Sequence, residues 1–82
     1  MDLDLGAVRT FLAVVDDGRF TEAADRLDMT QQAVSKRIAR LESDLGVPLL
    51  NRSRSGARLT EDGAAFLPHA RALISLGRFS SS

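Results

Sequence analysis

Residues 20–46 read FTEAADRLDMTQQAVSKRIARLESDLG, and the pattern of this stretch predicts the central part of the fold. Its first part predicts a short helix that ends by Asp28 and that Thr21 can cap, because a hydroxyl accepts a backbone N–H at a helix start. Its second part predicts a longer helix that begins after Thr30, another capping residue, and closes at Gly46. About three residues join the two helices, so they must cross steeply. The stretch therefore predicts a helix-turn-helix unit.

The residues before this unit predict one more helix. Asp4 can cap its start and Gly18 can end it. Between them, apolar residues recur in steps of three and four, which describes one buried stripe of a helix. These residues are Leu5, Val8, Leu12 and Val15.

The residues after the unit predict a hairpin and a fourth helix. Two half-apolar runs, residues 49–52 and 57–59, surround a turn in which Gly56 can adopt a positive φ. This pattern predicts a small two-stranded wing. Thr60 then caps a helix with apolar residues at helical spacing. The fold class we expect is mainly α, a winged helix-turn-helix with three helices, a two-stranded wing and a C-terminal helix.

Composition excludes several classes of protein. Eighty-two residues make one small domain, whose core is too small to hold a deep catalytic cleft as well. There is no cysteine, and the single histidine, His69, allows no HExxH-type metal pair, so we expect neither an enzyme nor a metal or other cofactor. No apolar run approaches the roughly 20 residues of a membrane span, and the N-terminus lacks a signal peptide pattern. We expect a cytoplasmic protein.

The net charge is zero but unevenly distributed. Residues 1–28 carry seven acids against three arginines, whereas residues 29–60 carry six bases against two acids. A neutral protein with one basic third can still offer phosphate a positive face.

The longer helix of the unit has an outer face suited to a DNA groove. Opposite its apolar stripe lie an amide, cations, a small residue and a hydroxyl, with a further amide and hydroxyl toward one edge. The residues opposite the stripe are Gln32, Lys36, Ala39, Arg40 and Ser43, and those toward the edge are Gln31 and Ser35. Gln can bond adenine through two atoms, Ser can meet several base edges, and Lys can reach guanine or phosphate. The wing residues Arg54 and Arg58 would flank this helix and grip phosphate or enter the minor groove. Arg52 has two open roles, a DNA contact or a brace against a carboxylate.

The chain resembles the N-terminal domain of LysR-type transcriptional regulators over about residues 3 to 75. The resemblance rests on these residues and their spacing: Phe20-Thr21-Glu22-Ala23-Ala24, Leu27, Thr30-Gln31-Gln32-Ala33-Val34-Ser35, Ile38, Leu41-Glu42, Leu45-Gly46, Leu49-Leu50, Arg52 and Leu59-Thr60. Two positions depart from the family pattern. Gln32 stands where a proline is common, which adds a hydrogen-bonding side chain, and Leu50 stands where phenylalanine is commoner.

The resemblance implies a bacterial, nucleoid-associated regulator that binds an inverted repeat in promoter DNA as a homodimer. Residues 1–60 would be the DNA-binding domain, residues 61–78 the linker and dimerisation helix, and residues 79–82 a disordered tail. A small-molecule effector would act only through a C-terminal domain that has no counterpart here, so we expect a fragment. By position in the family, Gln31, Gln32, Ser35 and Lys36 are base-reading candidates. Thr21 and Thr30 fit phosphate contacts at helix starts.

The dimer interface is expected on the apolar face of the fourth helix: Phe66, Leu67, Ala70, Leu73 and Ile74, with Leu67 or Ile74 shared with the core. Two alternatives stay open. The chain could be a winged-helix module for protein–protein contact or dimerisation without DNA readout, although the third helix lacks the exposed apolar anchors of such a surface. It could also belong to another family of winged-helix regulators.

Overall fold

The computed structural model describes residues 3–53 and 56–81, with side chains described through residue 76. Its elements follow the predicted order of three helices, a hairpin and a further helix. They are α1 (Leu5–Asp17), α2 (Phe20–Arg26), α3 (Gln31–Leu45), β1 (Leu50–Ser53), β2 (Gly56–Leu59) and α4 (Glu61–Ser81). The predicted winged helix-turn-helix is confirmed. Within the described ranges, no helix is long and apolar enough to cross a membrane.

Side-chain caps fix the starts of α1 and α3 as predicted. The Asp4 carboxylate accepts the Gly6 N–H at 2.9 Å, and the Thr30 hydroxyl accepts the Ala33 N–H at 3.0 Å. Both helices end at glycines in the left-handed region, Gly18 and Gly46.

The start of α2 differs from the prediction. Its N-cap is Arg19, which makes no side-chain cap bond, and Thr21 lies inside the helix. The expectation that Thr21 caps α2 was wrong because α1 ends at Gly18 and leaves a single extended residue before α2 begins. Phe20 is thereby half-buried against the core.

The core lies between α1 and the other elements. Val8, Phe11 and Val14 of α1 are fully buried and meet the buried stripe of α3, formed by Val34, Ile38 and Leu41. The ring of Phe11 also packs against Phe66 of α4, with 5.7 Å between ring centroids. Burial of each large apolar side chain contributes about 1.5–3 kcal/mol. The α3 stripe is thus held inward, and its opposite face is fixed outward.

Asp28 forms the turn between α2 and α3. It adopts φ 56, in the left-handed region that a glycine would occupy most easily. The next residue, Met29, donates its N–H to the Ala24 carbonyl at 2.8 Å, which closes the end of α2. Asp is among the few residues that tolerate this conformation, so the unit forms without a turn glycine.

The hairpin and α4 complete the fold. The strands are antiparallel, with Leu50 opposite Leu59 and Ser53 opposite Gly56. The α4 helix continues through Pro68 to Ser81, past the end at residue 78 that the sequence predicts. Residues 79–81 of the expected disordered tail therefore have helical backbone, because no helix breaker follows and serine costs a helix only a few tenths of a kcal/mol. Ser82 lies outside the described residues.

Candidate nucleic-acid interface

The outer face of α3 is open to solvent. Gln31, Gln32, Lys36 and Arg40 are all exposed, while Val34 on the opposite side is fully buried. Ser35 is half-buried at the edge that faces the wing. There it lines a groove of about 310 Å³ between α3 and β1. All five side chains are within reach of a molecule that docks on this face, and Gln31 and Ser35 lie nearest the wing.

The wing is fastened to α3 by Glu42, which the sequence analysis did not identify. One oxygen of its carboxylate, Oε2, accepts the N–H of Leu49 at 2.7 Å and the N–H of Leu50 at 3.2 Å. Hydrogen bonds to a charged acceptor are stronger than neutral ones. Glu42 therefore sets the position of β1 relative to the outer face of α3. Only the folded loop brings these N–H groups together, so sequence spacing alone gave no signal.

Two further links hold the ends of the hairpin. The Thr60 hydroxyl donates to the Pro48 carbonyl at 2.6 Å and accepts the Gly63 N–H at 2.9 Å, which confirms it as the cap of α4. At the other end, the Ala57 N–H donates to the Gly18 carbonyl at 2.9 Å. Gly56 is required beside this bond, because it has φ 130 and a Cβ there would collide with the Gly18 carbonyl.

The wing cations have different surroundings. The Arg52 guanidinium lies over the Phe20 ring, 4.2 Å from its centroid. Arg52 therefore contacts the fold through an aromatic ring. Within residues 3–53 and 56–76, its guanidinium has no carboxylate partner. Arg58 is exposed on β2, opposite Asn51. Arg54 lies outside the described residues.

The two threonines expected at phosphates are both exposed. The Thr30 hydroxyl already accepts the Ala33 N–H, and its own hydrogen can still be donated to a phosphate. Thr21 faces a second groove, of about 290 Å³, between the start of α3 and the wing. The structure thus leaves both hydroxyls able to act as donors.

Two acids at the end of α1 form ion pairs with arginines of other helices. Arg26 pairs with Asp17 at 3.1 Å, and Arg71 pairs with Asp16 at 3.7 Å. Both pairs border a larger groove of about 510 Å³ between α1 and α4. Because two of its three arginines are paired with acids, this groove is a poorer anion site than the α3 face, despite its size. The described residues hold no cluster of His, Cys, Asp and Glu that could bind a metal.

The predicted dimer face of α4 needs correction. Ala70 is fully buried in its own protomer, so it has no surface left for a partner. Phe66, Leu67 and Ile74 are half-buried and pack on the same core, because α4 lies along α1. Leu73 is half-buried at the edge. The exposed side of α4 carries a different row at helical spacing, which we call the α4 stripe: Ala65, His69, Ala72 and Leu76.

Comparison with known proteins places this geometry in a family. Residues 5–64 match the family model described as bacterial regulatory helix-turn-helix protein, lysR family. An uncharacterised HTH-type transcriptional regulator of Azotobacter vinelandii is 49% identical over 74 residues, which cover 90% of this chain. The chain spans 51% of that regulator's length.

Solved structures agree in fold. The CbnR DNA-binding domain in complex with DNA superposes with a TM-score of 0.90 at 38% identity, covering 95% of this chain and 90% of that one. The BenM DNA-binding domain on catB site 1 DNA superposes with a TM-score of 0.86 at 37% identity, covering 95% and 89%. Both similar structures are complexes with DNA.

Proposed function

Because the chain belongs to the lysR family of bacterial regulatory helix-turn-helix proteins, we propose that it binds a specific double-stranded DNA site as part of a transcriptional regulator. The observation that carries this proposal is the open outer face of α3, on which amides and cations are exposed opposite a buried stripe, with the half-buried Ser35 at its edge. The role is one of binding, not of catalysis. In a bacterial cell it would be carried out in the cytoplasm, at the nucleoid.

In this proposal α3 enters the major groove with its N-terminal half against the bases. Gln31, Gln32, Ser35 and Lys36 read base edges, because each can offer hydrogen bonds of the kind that a base pair presents there. Gln32 and Lys36 project furthest from the core. Ser35, held at the wing edge, contacts a base only if α3 lies deep in the groove, and Ala39 beside it leaves room for that approach.

The remaining cations and hydroxyls bind the DNA backbone. Thr21, Thr30 and Arg40 surround the base-reading residues, and Arg58 with Arg54 extends the contact into the wing. Such contacts fix the orientation of the protein on the duplex and carry no sequence information themselves. The Glu42 bonds to β1 keep the wing at a fixed distance from α3, so that both can bind one DNA segment.

The protein is proposed to act as a homodimer through α4. The α4 stripe supports this, since three of its four residues are apolar and Leu76 is 65% exposed. Leu73, at the edge of the stripe, stays a candidate. Two α3 helices would then enter successive major grooves of an inverted repeat, about 34–36 Å apart. An effector ligand would act through a further domain of the full-length regulator.

Selection of bound duplexes from a random library tests the proposal. We expect enrichment of an inverted repeat whose half-sites are spaced by about one helical turn. Recovery of unrelated sequences at equal yield would contradict sequence-specific binding. It would favour the alternative, a winged-helix module for protein–protein contact.

A further inference from the structure

We propose that the groove between the start of α3 and the wing holds a phosphodiester of the DNA backbone, bound by Arg19 and Arg52. This inference rests on the proposed DNA-binding function and adds Arg19, which the α3 face does not include. The groove has a volume of about 290 Å³, and Thr21 and Gln31 also line it.

Arg19 carries a charge that neither a helix cap nor an ion pair uses in the described part of the chain. It is the N-cap residue of α2, where Ser, Thr, Asp and Asn are preferred because their oxygens accept a helix N–H. Arg19 makes no such bond, and its side chain is exposed. Among residues 3–53 and 56–76, it has no carboxylate within ion-pair distance. Its charge is therefore available to a ligand.

The backbone on either side holds Arg19 against the wing. The Gly18 carbonyl accepts the Ala57 N–H at 2.9 Å, which ties the residue before Arg19 to β2. The stem of Arg19 lies beside Gly56, where an added Cβ would be 3.4 Å from its Cγ. The start of the side chain is thus positioned, and only its charged end needs to be ordered by a ligand.

Arg52 supplies the second cation from the wing. The carbon of its guanidinium lies over the Phe20 ring, 4.2 Å from the centroid, and this contact uses none of its N–H groups as hydrogen-bond donors. A guanidinium presents several N–H donors along its edge, in a geometry that fits two phosphate oxygens. The contact with the Phe20 ring therefore leaves the N–H donors of the Arg52 guanidinium available to a phosphate.

The chemistry of the lining indicates an anion with several oxygens. Two cations, the Thr21 hydroxyl and the Gln31 amide face the groove, and no acidic residue lines it in the described part of the chain. Gln31 begins the base-reading helix. A duplex seated on α3 would therefore bring its backbone past this groove, which makes a DNA phosphodiester the occupant.

The salt dependence of duplex binding tests the assignment. For Arg19→Ala, the slope of log K against log salt should fall by about one per bound protomer. Between 50 and 200 mM salt, the wild type should then lose about 3.5-fold more affinity than the variant for each protomer bound. The same change is expected with a selected and a scrambled duplex, because phosphate contacts carry no sequence information. Arg9→Ala, which removes an exposed arginine of α1 outside this groove, should leave the slope unchanged.

Arg52→Met provides a second variant that keeps an apolar contact with Phe20 and removes the charge. It should lower the slope by the same amount as Arg19→Ala, and thermal unfolding of each variant reports that it is folded. A duplex scan with single neutral methylphosphonates locates the contact. At one position per half-site, the substitution should weaken the wild type more than it weakens Arg19→Ala, in which Arg52 alone is left to contact that phosphate.

The results separate the phosphate groove from the proposed function. An unchanged slope for Arg19→Ala, with wild-type selectivity intact, would overturn the phosphate groove alone. A reduced slope for Arg19→Ala, together with a wild type that shows no sequence preference, would overturn sequence-specific binding alone. A chain that binds no duplex would overturn both claims. A titration with inorganic phosphate at constant ionic strength tests whether a free anion is the occupant. If phosphate saturates the groove at Arg19 at low millimolar concentration and does not compete with duplex binding, the groove binds a free anion and the assignment to DNA is wrong.

Discussion

Glu42 shows how a single side chain can position a functional surface without belonging to it. Its carboxylate faces the loop before the wing and accepts two consecutive backbone N–H groups, at 2.7 and 3.2 Å. If the acceptor is removed, both donors stay partly buried and without a partner. Such a loss costs more than the net value of an ordinary hydrogen bond.

We therefore expect Glu42→Ala to lower the free energy of unfolding by about 1–3 kcal/mol. Urea unfolding measures this loss. Ser43→Ala, an exposed neighbour on the same helix, is the control and should change stability by less than about 0.5 kcal/mol. Equal stability of the two variants would show that water replaces the carboxylate at no cost.

The same scale shows where prediction from sequence failed. Thr21 has the chemistry of a cap, but only Gly18 and Arg19 separate α1 from α2, so α2 starts at Phe20, earlier than the capping pattern predicts. Asp28 adopts the left-handed conformation that a glycine takes most easily, and the spacing of the helices did not predict this. The helix starts at Asp4, Thr30 and Thr60 were predicted correctly. Each of these side chains caps its helix by accepting an N–H only two or three residues further along the chain.

At the scale of elements, periodicity predicted the buried face of α3 but only part of that of α1, where Val8 is buried as expected, Leu5 is exposed, and Phe11 and Val14 complete the buried face. The stripe of α3 was predicted from its spacing, and so was its open outer face. For α4, spacing identified an apolar face but could not say whether the core or a second chain covers it. The structure assigns Ala70 to the core, and the exposed α4 stripe lies on the other side.

Close packing of α4 against the wing gives a prediction at this scale. An added Cβ on Gly63 would collide with the Leu49 carbonyl. Gly63→Ala should lower the free energy of unfolding by about 1–3 kcal/mol through overpacking. Alanine is a better helix former than glycine by about 1 kcal/mol, so intrinsic propensity alone predicts a higher free energy of unfolding for Gly63→Ala. Thermal unfolding decides between them, and a higher melting temperature for Gly63→Ala would refute the tight packing.

At the scale of the whole molecule, the charges and the proposed dimer explain how a neutral chain can bind DNA. Two acids of α1 pair with Arg26 and Arg71; among the described residues, Arg9 of α1 is unpaired, and the other unpaired cations lie around α3 and the wing. Two protomers joined through α4 would double this basic surface. The binding affinity would then depend on association of the protomers as well as on contacts to the duplex.

The α4 stripe makes the dimer testable. Ala72→Glu places a charge in the centre of the stripe without touching the buried side of α4, so it should weaken self-association and keep the fold. Sedimentation equilibrium measures the association constant. Ala64→Glu puts the same charge on another exposed side of α4 and should leave association near the wild-type value. Equal association of both variants would remove the stripe from the interface.

Base-pair-resolved affinity of Gln32→Ala tests the central claim, that the outer face of α3 reads DNA sequence. The variant and the wild type are titrated against the selected site and against each single-base-pair change in one half-site. We predict that Gln32→Ala loses about 1–3 kcal/mol of discrimination at one or two adjacent base pairs and keeps it elsewhere. Discrimination that matches the wild type at every base pair, for Gln32→Ala and for Lys36→Ala alike, would contradict the account.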